Sequence, residues 1–170
     1  MTASPTTPLS LHRETVRPEW IDYNGHMNVA YYLLAFDHAT DAVLDRFEIG
    51  KAYVAAENRS VFVVDVHLTY AREVTEGEPL RFDSLVLGAD AKRLHLFHEM
   101  RHAEEGWLAA TAELMLLHVD LATRKTSPFP PEVATALAEQ AALHAADPRP
   151  PQAGRSVSAL NPTQSVRGRG

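Results

Sequence analysis

The hydrophobic period of this chain changes once, near Gly50, and that change narrows the possible folds more than any other feature. Between residues 29 and 47, Leu33, Phe36, Thr40, Val43, Leu44 and Phe47 recur at helical spacing, which predicts one long amphipathic helix. Gly50 suits its C-terminal cap. Beyond it the period is two. Phe62, Val64, Val66, Leu68 and Tyr70 share one face of a strand, with Asp65, His67 and Thr69 on the other, a half-buried pattern rich in β-branched residues. Turn residues at 76–79, 88–90 and 104–106 then separate three more strands, over residues 80–87, 92–102 and 107–120, as in an antiparallel meander. Residues 11–18 form a short edge strand ahead of the helix, closed by Pro18. Pro128, Pro130 and Pro131 end the sheet, and the Ala-rich residues 132–144 read as a peripheral helix. The expectation is an α+β fold in which an antiparallel sheet of about five strands wraps around one long central helix. One helix cannot cover the whole face of such a sheet, so pairing with a second subunit is expected.

Bulk properties remove several function classes. At 170 residues the chain suits one domain, here residues 10–145. Residues 1–9, polar with two prolines, and residues 146–170, with four prolines and no aromatic residue, read as disordered termini. The net charge is -6, and the last 25 residues hold four Arg against one Asp, so the body is more acidic than the whole. Nucleic acid is therefore not the expected ligand. No apolar run reaches membrane-spanning length, and the N-terminus lacks the basic and apolar regions of a secretory signal. With no cysteine there is no disulfide and no thiolate. These features fit a cytoplasmic protein. Neither G-x-G-x-x-G nor a phosphate-binding G-x-x-x-x-G-K-[ST] occurs, and no cofactor is expected.

The densest concentration of chemistry lies just before the long helix. Residues 20–32, W-I-D-Y-N-G-H-M-N-V-A-Y-Y, bring together one carboxylate, one imidazole, two amides and four aromatic rings. Asn28 is placed to cap the helix. A helix start presents unbonded N–H groups and a partial positive charge, which can hold a carbonyl oxygen that becomes negative during reaction. Asp22, six residues ahead of Asn28, is close enough for the loop to fold its carboxylate back over that site. A carboxylate facing a polarised carbonyl points to acyl transfer or hydrolysis. The same residues also suit a capped helix followed by a solvated loop.

Other groups are weaker signals. His98-Glu99-Met100-Arg101-His102 spells H-E-x-x-H, but two imidazoles four apart share a metal only on a helix. Leu94, Leu96, His98, Met100 and His102 alternate with polar residues, as on a strand, so no metal is expected and a zinc peptidase is the remote alternative. Trp20, Tyr23, Tyr31, Tyr32 and Phe36 could line a cage for a quaternary ammonium group or belong to the core. Asp37, Asp41 and Asp45 form an acidic helix stripe that reads as a solvated face. His67 and Asp65 suggest a structural or interface role. Arg59, Arg72, Lys92, Arg93 and Arg101 are candidates for an anionic ligand.

Residues 22–32, D-Y-N-G-H-M-N-V-A-Y-Y, resemble the D-x-x-G-H-x-N-x-x-x-Y loop of hot-dog-fold thioesterases of the 4-hydroxybenzoyl-CoA thioesterase type. Residues 60–78 are similar to that family's following strand and turn, and the resemblance spans roughly residues 13–125. Within the family, W-I-D-Y-N-G-H-M-N followed by Y-Y-L-L-A-F looks most like the betainyl-CoA thioesterases of carnitine breakdown. The resemblance implies a hot-dog fold working as a homodimer or dimer of dimers, with sites at the subunit interface. It implies hydrolysis of an acyl-CoA to free CoA and a small acid, with Asp22 as the catalytic carboxylate and the Val29 N–H polarising the thioester carbonyl. His26 and Asn28 join them as candidate catalytic residues; Trp20, Tyr23, Gly25, Tyr32 and Arg59 are candidate substrate contacts. The chain departs from many relatives in carrying Trp20 where they have an additional Asp. A thiolate is a good leaving group, the parent thiol having a pKa of about 8.5, so one carboxylate and one dipole suffice. The remaining alternative is a non-enzymatic hot-dog protein that binds acyl-CoA without needing Asp22.

Overall fold

The computed structural model describes residues 8–157. Helix α1 (Val29–Arg46) runs inside the curl of an antiparallel sheet built from β1 (Leu9–Thr15), β2 (Arg59–Tyr70), β3 (Pro79–Ala89), β4 (Arg93–His102) and β5 (Leu108–Asp120). The strand order is β1-β3-β4-β5-β2, and the short β6 (Lys125–Thr126) pairs with β5. This is the expected α+β arrangement. The helix buries Ala35, Phe36, Ala39, Thr40, Val43 and Leu44. Ala35 and Ala39 let its axis approach the sheet closely, while the Phe36 ring meets Phe82 of β3 edge-on at 5.7 Å. Each large side chain removed from water here contributes roughly 1.5–3 kcal/mol. Asp37, Asp41 and Asp45 lie on the exposed side, as expected for a solvated stripe. Burial together with the charges of Asp37 and Asp45 holds the Asp41 carboxyl above its ordinary pKa.

The end of α1 differs from the expectation. The helix caps at Phe47, and Glu48 takes the left-handed conformation (φ 58°) that glycine usually supplies. The Ile49 N–H donates to the Leu44 carbonyl at 2.9 Å and the Glu48 N–H to Asp45 at 3.0 Å, the paired bonds of a Schellman closure. Gly50 instead opens a further helix, α2 (Lys51–Glu57). A Cβ at Gly50 would stand 1.9 Å from the Asp45 carboxylate oxygen, so any other residue there would make that exposed side chain turn away. Helix α2 buries no residue, which is why no apolar period announces it.

Strand β2 is an edge strand, and most of its apolar residues are not covered by any of the described residues. Phe62, Val63, Val64 and Val66 are all exposed, Val64 by 54%. A register shift between Val63 and Asp65 also breaks the strict alternation expected there. Helix α3 (Pro131–His144) matches the expected peripheral helix and packs on β3. The register of β3 slips between Val86 and Gly88, and the Val86 N–H donates to Nδ1 of His144 at 2.8 Å.

The segment expected to form a disordered tail starts as a turn over residues 151–154, whose Gly154 N–H donates to Glu113 of β5 at 2.6 Å. The rest of that tail, 158–170, and residues 1–7 of the expected disordered N-terminus lie outside the described residues. No helix among the described residues is long and apolar enough to cross a membrane.

Candidate active site

The loop between β1 and α1 is closed by its own backbone. Pro18 starts a short 3-10 turn ending at Trp20. Ile21 and Met27 then pair as an isolated antiparallel bridge, the Asp22 N–H donates to His26 at 3.1 Å, and the Gly25 N–H donates to Asp22 at 3.0 Å. Gly25 has φ 81°, a conformation costly for any residue with a Cβ. Two bonds fasten the excursion to the body: Met27 N–H to the Val74 carbonyl at 2.9 Å, and Asn28 N–H to the Trp20 carbonyl at 2.8 Å.

Asp22 and the helix start are joined by side chains. Oδ1 of Asp22 accepts from the Asn24 N–H at 2.8 Å. Oδ2 accepts from the Asn28 amide at 3.2 Å. The Asn28 carbonyl oxygen in turn accepts the Ala30 N–H at 3.0 Å, capping α1. Asn28 thus fixes the carboxylate relative to the helix end. Val29 is the first residue of α1, so its N–H has no partner within the helix. Asp22 is half-buried.

Beside this end lies a cavity of about 260 Å³ lined by His26, Met27, Val29, Tyr32, Tyr70, Ala71, Arg72 and Glu73. The Tyr32 and Tyr70 rings meet edge-on at 5.1 Å, and the Tyr70 hydroxyl donates to the Val29 carbonyl at 3.5 Å. Burial holds the Tyr32 phenol above its ordinary pKa, keeping it protonated. One nitrogen of His26 faces the Met27 carbonyl at 3.2 Å and the other faces Glu73 at 3.9 Å. Glu73 is 69% exposed, and the Arg72 guanidinium lies flat over Trp107 at 4.0 Å. Asp22 does not line this cavity.

The proposed aromatic cage is largely dispersed. Trp20 is 2% exposed, stacked on Tyr31 at 5.7 Å and covered by the Arg17 guanidinium at 5.0 Å. Phe36 is core, and Tyr23 projects from the loop tip, 96% exposed. Only Tyr32 of the five lines the cavity; its companions there are Tyr70 and Glu73. Sequence reasoning assigned Tyr70 to the buried face of β2 and passed over Glu73. The available signal was the A-R-E immediately after the strand, inside the stretch that resembles the family. Arg59 stands at the opposite end of β2 from Tyr70, roughly 35 Å along the strand, across from Asp120. Arg93 and Arg101 are paired with Asp90 and Glu99. Arg72 is the basic residue that lines the cavity.

The H-E-x-x-H stretch lies on strand β4, where the four steps from His98 to His102 span roughly 13 Å. His98 is wholly buried beneath α1. The Thr40 hydroxyl donates to the Phe36 carbonyl at 2.9 Å, so it accepts the His98 Nε2–H at 3.1 Å, and Nδ1 accepts from Ser84 at 2.7 Å. Burial pushes its pKa down to about 3. His98 is a neutral core residue, and the zinc-peptidase geometry is absent.

Comparison with known proteins places the chain by sequence and fold. The profile of the thioesterase-like superfamily matches residues 16–137. The chain is 38% identical over 149 residues to a betainyl-CoA thioesterase of Pseudomonas aeruginosa, covering 88% of this chain and 94% of that protein. It is 39% identical over 153 residues to an L-carnitine dehydrogenase/betainyl-CoA thioesterase of Agrobacterium fabrum, covering 90% of this chain but only 31% of that longer protein. Among solved structures, a Staphylococcus aureus protein in complex with CoA superposes with a TM-score of 0.82 at 26% identity, covering 91% of this chain and 98% of that one. A 1,4-dihydroxy-2-naphthoyl-CoA thioesterase from Synechocystis shares the fold, with a TM-score of 0.66 at 20% identity over 74% of this chain and 93% of that one. On its sequence match and its fold, this chain belongs to the thioesterase-like superfamily, the hot-dog acyl-CoA thioesterases.

Proposed function

We propose that the chain hydrolyses betainyl-CoA to betaine and free CoA at the start of α1. The observation that carries the hydrolytic reading is the Asp22–Asn28–Ala30 chain of hydrogen bonds, which holds a carboxylate at fixed distance from a helix end with a free N–H. The thioester oxygen rests on the Val29 N–H, where the helix dipole and the unbonded donor stabilise the charge that develops on it. Asp22 either attacks the carbonyl carbon, giving a mixed anhydride that water then hydrolyses, or takes a proton from the water that attacks. Either way the C–S bond breaks, CoA departs as thiolate and the acid is released. Gly25 makes the turn possible, and His26 fills the gap between the loop and Glu73.

The choice of acyl group rests on the betainyl-CoA thioesterases that the chain resembles and on the chemistry of the cavity. Betainyl carries a trimethylammonium. Two tyrosine rings and the Glu73 carboxylate form a surface suited to such a cation. Arg72, at the rim, is the group available for the CoA phosphates. The uncovered β2 edge is read as the seam with a second copy, in a homodimer or a dimer of dimers, which would complete the crevice beside Asp22.

Free-thiol release with betainyl-CoA and with its uncharged isostere 3,3-dimethylbutanoyl-CoA tests both parts. Asp22→Asn should keep the fold and lose at least about a hundredfold in kcat, the scale of a lost acid–base group. Wild-type turnover in that variant would refute the assignment of Asp22 as the catalytic carboxylate. Glu73→Gln should narrow the preference for the charged substrate by about three- to tenfold. Equal turnover of the two substrates by the wild type would reject the betainyl assignment.

A further inference from the structure

Away from the loop, β1 and α1 bring together a second group of side chains. His12 and Glu14, two apart on β1, share the face turned to the helix, and His38 meets them from α1. Nε2 of His12 lies 3.2 Å from Glu14 Oε1. Nδ1 of His38 lies 3.3 Å from each of the two Glu14 oxygens. One ligand atom from each residue can be chosen so that all three lie within 4.8 Å of one another. The imidazoles cross nearly edge-on, 5.9 Å between centroids, and Phe82 packs on His12 at 5.2 Å. The Glu14 side chain is only 9% exposed, so its charge requires compensation.

We propose that His12, Glu14 and His38 bind one divalent transition-metal ion of the Zn²⁺ class, tying the edge strand β1 to the central helix. Two imidazoles and a carboxylate are a ligand set that Zn²⁺ accepts, with the remaining position left for water. At bond lengths of about 2.0–2.1 Å, ligands arranged tetrahedrally stand roughly 3.3 Å apart. The two His–Glu separations already have that value. Only the imidazole–imidazole separation must shorten, and both rings are partly exposed and able to turn. Asp37 and Asp41, the neighbours of His38 on the helix surface, add negative potential that favours a cation. Nine residues separate His38 from Val29, roughly 13 Å along the helix. The ion is therefore structural and lies apart from the acyl cavity.

Tag-free, full-length protein loaded with Zn²⁺ and passed through gel filtration should retain one ion per chain. Co²⁺ in its place should show the visible bands of a low-coordinate site, and Zn²⁺ should raise Tm by about 5 °C. His12→Ala, Glu14→Gln and His38→Ala should each weaken retention by more than about tenfold. His38→Ala is decisive, since it places the best helix former on a half-exposed helix surface. His95→Ala, which removes the partner of Glu113 on the opposite sheet face, should leave retention unchanged. Failure of the wild type to retain Zn²⁺, retention that survives the three substitutions, or loss with His95→Ala would overturn the site and show Glu14 to be a hydrogen-bond acceptor for two imidazoles only.

Discussion

His98 shows how one side chain can couple this core to pH. It is enclosed, neutral and bonded on both nitrogens, with its pKa pushed from an ordinary 6.5 down to about 3. The unfolded chain binds a proton at this residue below about pH 6.5, whereas the folded chain does not. Its contribution to stability is therefore complete above that value and declines as the pH falls toward 3, by up to about 1.4 kcal/mol per pH unit. Urea titrations at pH 7.5 and 5.5 should show the wild type losing about 1 kcal/mol more than His98→Gln over that interval. An equal loss in both proteins would mean that His98 does not titrate as its burial requires. The H-E-x-x-H spelling around His98 was legible as a strand because polar and apolar residues alternate there. Its bonds to Thr40 and Ser84 were not, since partners 58 and 14 residues away leave no local trace.

Among the elements, those with an apolar period were readable and those without one were not. Helix α1 and strands β3, β4 and β5 fall within one or two residues of their expected bounds because each buries a face. Helix α2 was invisible because it buries nothing, and Gly50 was taken for the end of α1 when it begins α2. Glu48 holds the positive φ that glycine usually supplies, with two Schellman bonds closing the turn. Glu48→Gly should relieve that conformation and stabilise the protein by roughly 0.5–1 kcal/mol, net of glycine's greater freedom in the unfolded chain. A thermal melt measures this; a lower Tm in the variant would show that the Glu48 side chain contributes something the backbone account omits. In the loop, Asp22, Gly25 and Asn28 were identifiable by residue type and spacing. Arg72 was one of five basic candidates that sequence could not rank, and Tyr70 and Glu73 were not identifiable, because these residues reach the cavity only once β2 has curled back beside α1.

The whole molecule is left with one open seam. A sheet that curls around a single helix covers one face of that helix, and the edge at β2 offers Phe62, Val63, Val64 and Val66 to solvent. Exposed apolar edges of this kind promote pairing between chains. If two copies pair along this edge, Val64→Lys, at the most exposed of the four, should leave the chain monomeric in light scattering and cut thioesterase activity at least tenfold. A fully active monomer would refute the shared-site reading. The expectation of a partner came from the element order alone, since one helix cannot shield five strands. Which strand would be left bare was not, because the order β1-β3-β4-β5-β2 is set by pairings across the full length of the chain.

The loop before α1 is stitched to Trp20 on one side and Val74 on the other, and closed internally by Asp22, Gly25 and His26. Those bonds hold its shape in the folded chain before any ligand arrives. On the proposed function, an incoming ester meets a surface already held in place, and each catalytic cycle is spared the entropy loss that an unanchored flap would incur on closing.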